Sequence, residues 1–425
     1  MKTRMDRHKT YYRAQRMSLK TIERKKGFDG VLFGGVILLV IGYILLHDIF
    51  GGTLLAHRNW DSYTLQAMAW RQGNLGLGQD YSWLELAVYN GDWYSPFPVV
   101  PTFVMYPLTF LFGDMTPNNL IVMAYAIISI VFVYLCFKNL ETPRLYAMFL
   151  AIVFVLGSNA MWMSTNGGVW FQAQMLNMLL CFAGIFCLLK EQNTLSLVLI
   201  ALAVGCRPFS ILLLLGVFLY LVINERRNTG KNPVLVFFKQ MRYLILPALI
   251  GVGYLYFNYI RFGDWFDFGR AYLPEFAAVG GREFGLEYVL PNLYNLFVEP
   301  VRMLADGSLT FPAFDGFMFF IANPIFIIWF INIIKDIAHK KMSPEKVVLI
   351  VMWVLNLLLL TMHKTMGGWQ FGARYTVDLI PYVLLYTLFN VDVKVEKLTV
   401  FIGIFALMFN VYGALVMNFK EGFMM

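Results

Sequence analysis

The sequence predicts an all-α polytopic membrane protein, and three observations support this fold class. Apolar residues make up 59% of the 425 residues, and the mean hydropathy is +0.62. Only 14% of the residues are charged, whereas soluble domains have about 25% charged residues. Apolar runs of about 17–25 residues recur along the chain, which is the length that an α-helix needs to cross a bilayer. Chain length is therefore a guide to the number of spans.

The first 26 residues are strongly basic, with ten Lys or Arg against two acidic residues. By the positive-inside rule this end is cytoplasmic, so residues 1–29 are predicted to form a basic cytoplasmic segment. It can lie on the membrane as a short amphipathic helix. Its lipid-facing residues would be Tyr12, Met17, Leu19 and Ile22. The run 31–50 is long enough to span, so we expect an anchor and not a cleaved signal peptide.

Residues 30–425 are predicted to form one transmembrane domain of about eleven spans, with the C-terminus outside. The predicted spans are 31–50, 120–137, 145–162, 175–189, 194–204, 209–223, 241–257, 311–334, 347–361, 377–389 and 398–417. The net charge of +8 then reflects membrane topology and not nucleic-acid binding. Residues 51–117 and 258–310 become outer regions. The segment 99–112 is short and contains prolines, so we expect it to lie along the outer surface or dip into it.

The first outer loop contains four carboxylates, in a chain that has few charges. They are Asp61, Asp80, Glu85 and Asp92. Lipid offers such a loop no hydrogen-bond partners, and loops of this length are usually functional or disordered. Its many Trp and Tyr residues favour order at a membrane interface. We therefore expect this loop to carry the catalytic residues of a membrane enzyme.

Asp61 allows two interpretations. A carboxylate near the membrane surface in a partly apolar pocket can act as a general base. Asp followed by Ser-Tyr-Thr-Leu-Gln is equally typical of a helix N-cap, and from the local sequence alone the cap is favoured. For Asp80, Glu85 and Asp92, solvated surface positions are the default, and they are the alternative acids.

Arg374 lies in the stretch GGWQFGARYTVD, next to a predicted span. A guanidinium group matches phosphate geometry in two-pronged fashion. The alternative is an interfacial arginine that snorkels beside Trp369 and Tyr375. Other cations of the outer loops could also suit an anionic headgroup; they are Arg261, Arg270, Arg282, Arg302, His363 and Lys364. Arg207 precedes Pro208 between two short apolar runs, and a structural turn is favoured there.

Three stretches together resemble the bacterial branch of the GT-C glycosyltransferases, the relatives of protein O-mannosyltransferases and aminoarabinose transferases. The stretches are ELAVYNGDWYSPFPVVPTFVMYPLTFLFG, following the first-loop aspartate, then YFNYIRFGDWFDFGRAY, and GWQFGARYTVDLIP. The resemblance implies a GT-C-like helical bundle with surface helices in the first outer loop. It also implies a polyprenyl-phosphate-linked sugar donor and transfer on the outer face of the bacterial plasma membrane, usually with inversion. The acceptor would be a glycan, a lipid or a protein.

The same resemblance implies roles for individual residues. Asp61 matches the general base, and Arg374 is expected to contact the donor phosphate. The remaining expected substrate-binding residues are Arg270, Tyr89, Asn90, Trp93, Tyr94, Trp369 and Tyr375. Members of the family often have a second acidic residue in the second outer loop, but SNAMWMSTNGGVWFQAQ has none. We therefore expect no metal and no cofactor.

Other functional classes remain open. A flippase or transporter would more often show repeated halves and ionisable residues within spans, and neither feature is evident here. An O-antigen polymerase or ligase would also use polyprenyl-linked sugars. We expect no large soluble outer domain after the last predicted span, and this expectation disfavours an oligosaccharyltransferase-like role. The four cysteines lie in apolar runs without metal-ligand spacing, so we expect them to be structural.

Overall fold

The computed structural model describes residues 27–277, 283–312, 314, 316–390, 393 and 395–419. The predicted amphipathic helix within 1–26 lies outside the described residues, and so does the end of the chain, which was predicted to face outward. Within the described ranges the chain is mainly helical, with two short antiparallel hairpins.

The helices and strands follow one another in chain order. The α-helices are α1 (Gly30–Ile49), α2 (Ser62–Arg71), α3 (Val100–Phe112), α4 (Asn118–Asn139), α5 (Arg144–Leu156), α6 (Ala160–Met163), α7 (Val169–Leu189), α8 (Asn193–Val204), α9 (Ile211–Thr229), α10 (Pro233–Gln240), α11 (Ile245–Phe262), α12 (Pro274–Ala277), α13 (Val289–Phe297), α14 (Phe319–Ala322), α15 (Ile325–Ala338), α16 (Pro344–Thr361), α17 (Ile380–Leu388) and α18 (Lys397–Phe419). The strands are β1 (Ala87–Tyr89), β2 (Asp92–Tyr94), β3 (Arg302–Met303) and β4 (Leu309–Thr310).

Seven helical segments in the described part of the chain are long and apolar enough to cross a membrane. They are α1, α4, α7, Pro208–Thr229, Pro233–Phe262, α16 and α18. The shorter apolar helices α5 and α8 also fall at predicted spans. The all-α polytopic fold class is confirmed.

The predicted span 311–334 is wrong as a single helix. A short helix, α14, ends before Asn323, and α15 begins after Pro324. Proline cannot continue a helix because its nitrogen carries no hydrogen to donate. The Asn323 amide donates to the Asn159 side chain at 2.8 Å and to the Thr376 hydroxyl at 2.9 Å. The break therefore joins three distant parts of the chain. The predicted span 377–389 likewise starts as a 3-10 helix over Arg374–Leu379 before α17.

The first loop contains helices, as the sequence predicted. Helix α2 packs against α3, which has 13 residues and contains Pro107. Helix α3 is too short to meet the length expected of a full span. Between these two helices the β1–β2 hairpin turns at Asn90 and Gly91, both with positive φ (50° and 81°). An Asn-Gly turn of this kind matches the twist of paired strands.

Helix α7 forms the centre of the bundle, since it packs against α4 and α8 and is almost entirely buried. Its first residue, Val169, donates its N–H to the Trp60 carbonyl at 2.7 Å, next to the first loop. Beyond its last residue, the Lys190 ammonium donates to Asn139 at 2.8 Å. We refer to these two ends of the bundle as the first-loop end and the opposite end.

The opposite end is held by ion pairs between helix ends. The Lys346 ammonium donates to Asp336 at 2.7 Å and to Asn390 at 2.7 Å, and the Tyr386 hydroxyl donates to Asp336 at 2.7 Å. The side chains of Lys346 and Asp336 are 5% and 9% exposed. This cluster links α15, α16 and α17, so it fixes the relative positions of three helices.

We expect Lys346→Met to destabilise the fold by about 3–5 kcal/mol, because it leaves the Asp336 charge buried without its partner. Thermal unfolding of the detergent-purified protein would measure the loss. Lys335→Met is the matched control, because the Lys335–Glu396 pair has side chains 45% and 49% exposed. Exposed pairs contribute about 0–1 kcal/mol. Equal unfolding temperatures for the two variants would contradict a structural role for the buried pair.

Candidate functional site

The expected acid and the expected arginine lie at the same end of the bundle. Asp61 follows Trp60, whose carbonyl accepts from the first residue of α7, Val169. Gln174, five residues further along α7, lies about 7.5 Å along the helix axis at 1.5 Å per residue. Its side-chain oxygen accepts from Arg374 Nη1 at 2.8 Å. The structure therefore brings Asp61 and Arg374 to the start of one helix.

Asp61 is buried, with 1% of its surface exposed, and it is the N-cap of α2. Its Oδ1 accepts from the backbone N–H groups of Tyr63 at 3.0 Å and Thr64 at 3.2 Å. Its Oδ2 accepts from the Thr64 hydroxyl at 2.6 Å and from Asn118 Nδ2 at 3.0 Å. The N-cap interpretation is confirmed. A carboxylate has about four acceptor positions, and all four are engaged within the protein.

Arg374 is also buried, and its guanidinium N–H groups donate to oxygen atoms of the protein. Its Nε donates to the Gly367 carbonyl at 2.8 Å, and its Nη2 donates to the same oxygen. The Phe171 and Tyr375 rings lie 5.6 and 4.9 Å from the guanidinium carbon. Burial lowers the pKa of Arg374 to about 10, which leaves it charged at neutral pH. Arg374 thus ties its own loop to α7.

Arg207 lies beside Arg374, at the turn that the sequence predicted before Pro208. Its Nε donates to Asp378 at 2.7 Å, and its guanidinium lies 4.4 Å above the Tyr375 ring. Asp378 also accepts from Asn177 on α7 at 3.4 Å. The Arg207 side chain is 19% exposed, against 4% for Asp378. The turn before Pro208 therefore pairs the partly exposed Arg207 with the buried Asp378.

Arg270 belongs to a third charged group, together with Glu283 and His363. Arg270 Nε donates to both Glu283 oxygens at 3.0 Å, and His363 Nε2 lies 2.9 Å from Glu283 Oε1. The Thr365 N–H donates to His363 Nδ1 at 3.2 Å. The hydrogen bonds thus assign His363 as the tautomer that carries its proton on Nε2 and donates it to Glu283.

Hydrogen bonding sets the charge states of this group. Burial alone would raise the pKa of Glu283, but the hydrogen bonds from His363 and Arg270 lower it to about 2. Burial lowers the pKa of His363, and Glu283 only partly offsets this effect. His363 is therefore neutral at pH 7, while Glu283 and Arg270 are a charged pair.

The alternative acids of the first loop differ in position. Glu85 is half-buried, accepts from Trp170 Nε1 at 3.3 Å, and interacts electrostatically with Arg270 and Arg374. Asp92 accepts from the Gly78 and Trp93 N–H groups, so it stabilises the loop itself. Asp80 is exposed. Of these three acids, the structure brings Glu85 to the arginines.

The expected aromatic contacts are mostly engaged in packing the loop. The Tyr89 hydroxyl donates to the Phe262 carbonyl at 2.9 Å, and the Tyr94 ring lies 5.4 Å from the Phe262 ring. Asn90 occupies the hairpin turn and is exposed, Trp93 is half-buried, and Trp369 is 38% exposed. Tyr375, in contrast, is buried and lies between Arg207 and Arg374.

The remaining outer-loop cations have local contacts or are not described. Arg261 donates to the Ser95 carbonyl at 3.0 Å, Arg302 pairs with Glu299, and Arg282 lies outside the described residues. In the part of the chain that the structure describes, no three His, Cys, Asp or Glu side chains form a group that could hold a metal ion. The four cysteines are all free and buried. The absence of a metal and of a cofactor stays a prediction.

Sequence reasoning missed Glu283, Asp378 and Gln174. Asp378 lies only four residues after Arg374 in the same quoted stretch, and this closeness in the chain could have drawn attention to it. Gln174 ends the second-loop stretch that was searched only for acids. Glu283 had no comparable signal, since its partners Arg270 and His363 lie 13 and 80 residues away, beyond the range of helical spacing.

Comparisons with known proteins give little beyond a general likeness. No protein-family model matches the chain, and no curated protein matches it. A solved structure of the Archaeoglobus fulgidus oligosaccharyltransferase in the apo form is similar, with 11% identity and a TM-score of 0.49. A second structure is the oligosaccharyltransferase AglB from Archaeoglobus fulgidus with an inhibitory peptide and a dolichol-phosphate, with 12% identity and a TM-score of 0.48. Each alignment covers 91% of this chain and 55% of the other, so the chain spans about half their length.

We expect Glu283→Gln to destabilise the protein by about 1–3 kcal/mol at pH 7, because Arg270 loses a charged hydrogen-bond partner. The pKa of Glu283 falls from an ordinary 4.5 to about 2 on folding, so its ionised form contributes stability above pH 4.5. This contribution is lost as the pH falls from 4.5 toward 2. The difference between variant and wild type should therefore shrink below pH 4.5. Thermal unfolding at several pH values would measure it.

Glu287→Gln is the matched control, since Glu287 is exposed in the same region. It should change the unfolding temperature little at any pH. A difference between Glu283→Gln and wild type that stays constant down to pH 3 would contradict the assigned charge state of Glu283.

Proposed function

We propose that this protein is a membrane-embedded glycosyltransferase of the GT-C type, which moves a sugar from a polyprenyl-phosphate donor to an acceptor. One observation carries the proposal: Arg207, Arg270 and Arg374 lie at the first-loop end of the bundle together with Asp61 and Glu85, where Tyr63 interacts electrostatically with Asp61, Arg207 and Arg270, and Glu85 with Arg270 and Arg374. By the positive-inside rule this end faces outward. The chain would lie in the bacterial plasma membrane with its N-terminus in the cytoplasm.

The arginines have the chemistry to hold the donor phosphate. Arg207 is the best placed, because Asp378 engages its Nε while its side chain is still partly exposed. Tyr375 also hydrogen-bonds this guanidinium, and the N–H groups that Asp378 and Tyr375 leave open can bind phosphate oxygens. Arg270 and Arg374 would add positive charge behind it. Fixed donors of this kind stabilise the negative charge that develops on the departing phosphate.

Asp61 is the proposed general base, although its carboxylate is fully hydrogen-bonded. Asn118 Nδ2 donates both to Asp61 and to the Arg58 carbonyl, each at 3.0 Å. An acceptor hydroxyl can therefore replace Asn118 at Asp61 Oδ2 while Asn118 keeps its bond to Arg58. The base would take the hydroxyl proton as the oxygen attacks the anomeric carbon. A single displacement from the face opposite the phosphate inverts that carbon.

A polyprenyl tail would remain in the bilayer, while the sugar and phosphate reach the first-loop end. Trp369 and Trp93 offer aromatic surface at that end for a sugar ring, since both are at least partly exposed. The acceptor can be a glycan, a lipid or a protein. Membrane lipids are the other expected partners, and nucleic acid is not expected.

We expect Asp61→Asn to lower sugar transfer by about 10²-fold or more, which is the usual contribution of a general base. Asn is as good an N-cap as Asp, so the protein should still fold. Transfer of radiolabelled sugar from polyprenyl-phosphate donors to membrane acceptors would measure the effect. The assay also separates transfer from transport, because only transfer yields a covalently labelled acceptor.

Asp92→Asn is the matched control, because Asp92 likewise accepts backbone N–H groups in the first loop. Its transfer rate should stay near that of wild type. Undiminished transfer by Asp61→Asn would remove Asp61 from the mechanism. Glu85→Gln would then be the next variant to measure, because Glu85 lies beside the arginines.

A further inference from the structure

The hydroxyl of Tyr63 is buried at the first-loop end without a hydrogen-bond partner. Tyr63 follows the Asp61 cap on α2 and is 0% exposed. No described residue provides its hydroxyl with a donor or an acceptor. Buried polar groups are nearly always hydrogen-bonded, so an exception calls for an explanation, and a functional role is one.

Two ring contacts and one backbone hydrogen bond connect Tyr63 to the elements that carry Arg270 and Arg207. The Tyr63 ring meets the Phe97 ring edge-on at 6.4 Å, and the Arg270 guanidinium lies 5.6 Å from the same Phe97 ring. The Val100 N–H donates to the Gly205 carbonyl at 2.9 Å, which holds this tract against the turn before Arg207. The Phe97 ring thus lies in contact with both Tyr63 and Arg270, and the tract that follows it is bonded to the turn that carries Arg207.

The surroundings of Tyr63 favour an oxyanion as its partner. Cys206 and Asp61 interact electrostatically with Tyr63, and so do the two cations Arg207 and Arg270. Burial raises the pKa of Tyr63 well above 10, so the hydroxyl keeps its proton and can donate at ordinary pH. Two cations and one neutral donor suit a group with several negatively charged oxygens. A phosphate has this chemistry, and it can accept from the N–H groups of Arg207 and Arg270 that Asp378 and Glu283 leave open.

We propose that the Tyr63 hydroxyl donates a hydrogen bond to a phosphate group that Arg207 and Arg270 hold, and that it thereby selects phosphate-bearing substrates. The choice of a prenyl phosphate as the ligand rests on the proposed function. The hydroxyl is enclosed, so a phosphate reaches it only when at least one covering side chain moves. Tyr63 is then a binding residue distinct from the proposed base.

Tyr63→Phe tests the proposal because it removes one oxygen and keeps the ring against Phe97. Tyr125→Phe is a matched control: the Tyr125 hydroxyl is also buried and without a partner among the described residues. Cys206 and Asp61 act electrostatically on both tyrosines, whereas Arg207 and Arg270 act on Tyr63 and not on Tyr125. Loss of an unpaired buried hydroxyl should not destabilise either variant.

The measurement is the affinity of the detergent-purified full chain for farnesyl phosphate, with farnesol and inorganic phosphate as parallel probes. We expect Tyr63→Phe to bind farnesyl phosphate about 10-fold or more weakly than wild type, as for a lost hydrogen bond to a charged group. Tyr125→Phe should bind it as wild type does. Farnesol should bind equally to all three proteins. A Tyr63-dependent affinity for inorganic phosphate would show that free phosphate also occupies the site.

Equal affinity of Tyr63→Phe and wild type for farnesyl phosphate would overturn the proposal. So would an equal loss in both variants, which would mean that the two hydroxyls act only on packing. A loss of farnesol affinity in Tyr63→Phe would assign the effect to the prenyl chain. If Tyr63-dependent phosphate binding is found without any sugar transfer, the phosphate site stands and the glycosyltransferase proposal fails.

Discussion

The hydrogen bond between Arg374 and Gln174 is the contact on which the arrangement of the first-loop end depends. It fixes the loop before α17 to the first turns of the central helix, while Trp60 fixes the first loop to the same turns. A buried guanidinium is costly unless its donors are satisfied, and Gly367 and Gln174 provide the required oxygens. Since the burial of Arg374 requires these partners, the two loops are held in one relative position.

The two ends of the bundle use charge differently. At the opposite end, Lys346–Asp336 and Arg227–Glu345 are closed pairs that link helix ends. At the first-loop end, Arg207 and Arg270 are also paired, with Asp378 and Glu283, but they lie close to a third guanidinium, Arg374, and to the Tyr63 hydroxyl, which has no partner among the described residues. Clustered like charges and unpaired buried polar groups are typical of binding sites.

Asp61 shows that a structural role and a proposed catalytic role can belong to one carboxylate. Its Oδ1 satisfies two N–H groups at the start of α2, which would otherwise be unpaired. Its Oδ2 bonds only to side chains, those of Thr64 and Asn118. The oxygen that holds the helix is therefore different from the oxygen proposed to accept a proton. This division also explains why Asp61→Asn is a suitable probe.

The sequence by itself determined the all-α polytopic class and the N-cap at Asp61, because apolar run length and capping are local properties. Most of the predicted spans coincide with apolar helices of the structure. Only the tertiary structure decided which charges meet: Glu283 with Arg270 and His363, Arg207 with Asp378, and Arg374 with Gln174. It likewise decided that the predicted span 311–334 is interrupted, with Asn323 bonded to Asn159 and Thr376. These partners are mostly far apart along the chain. Helical periodicity relates only residues within a few positions of one another, so it cannot predict such contacts.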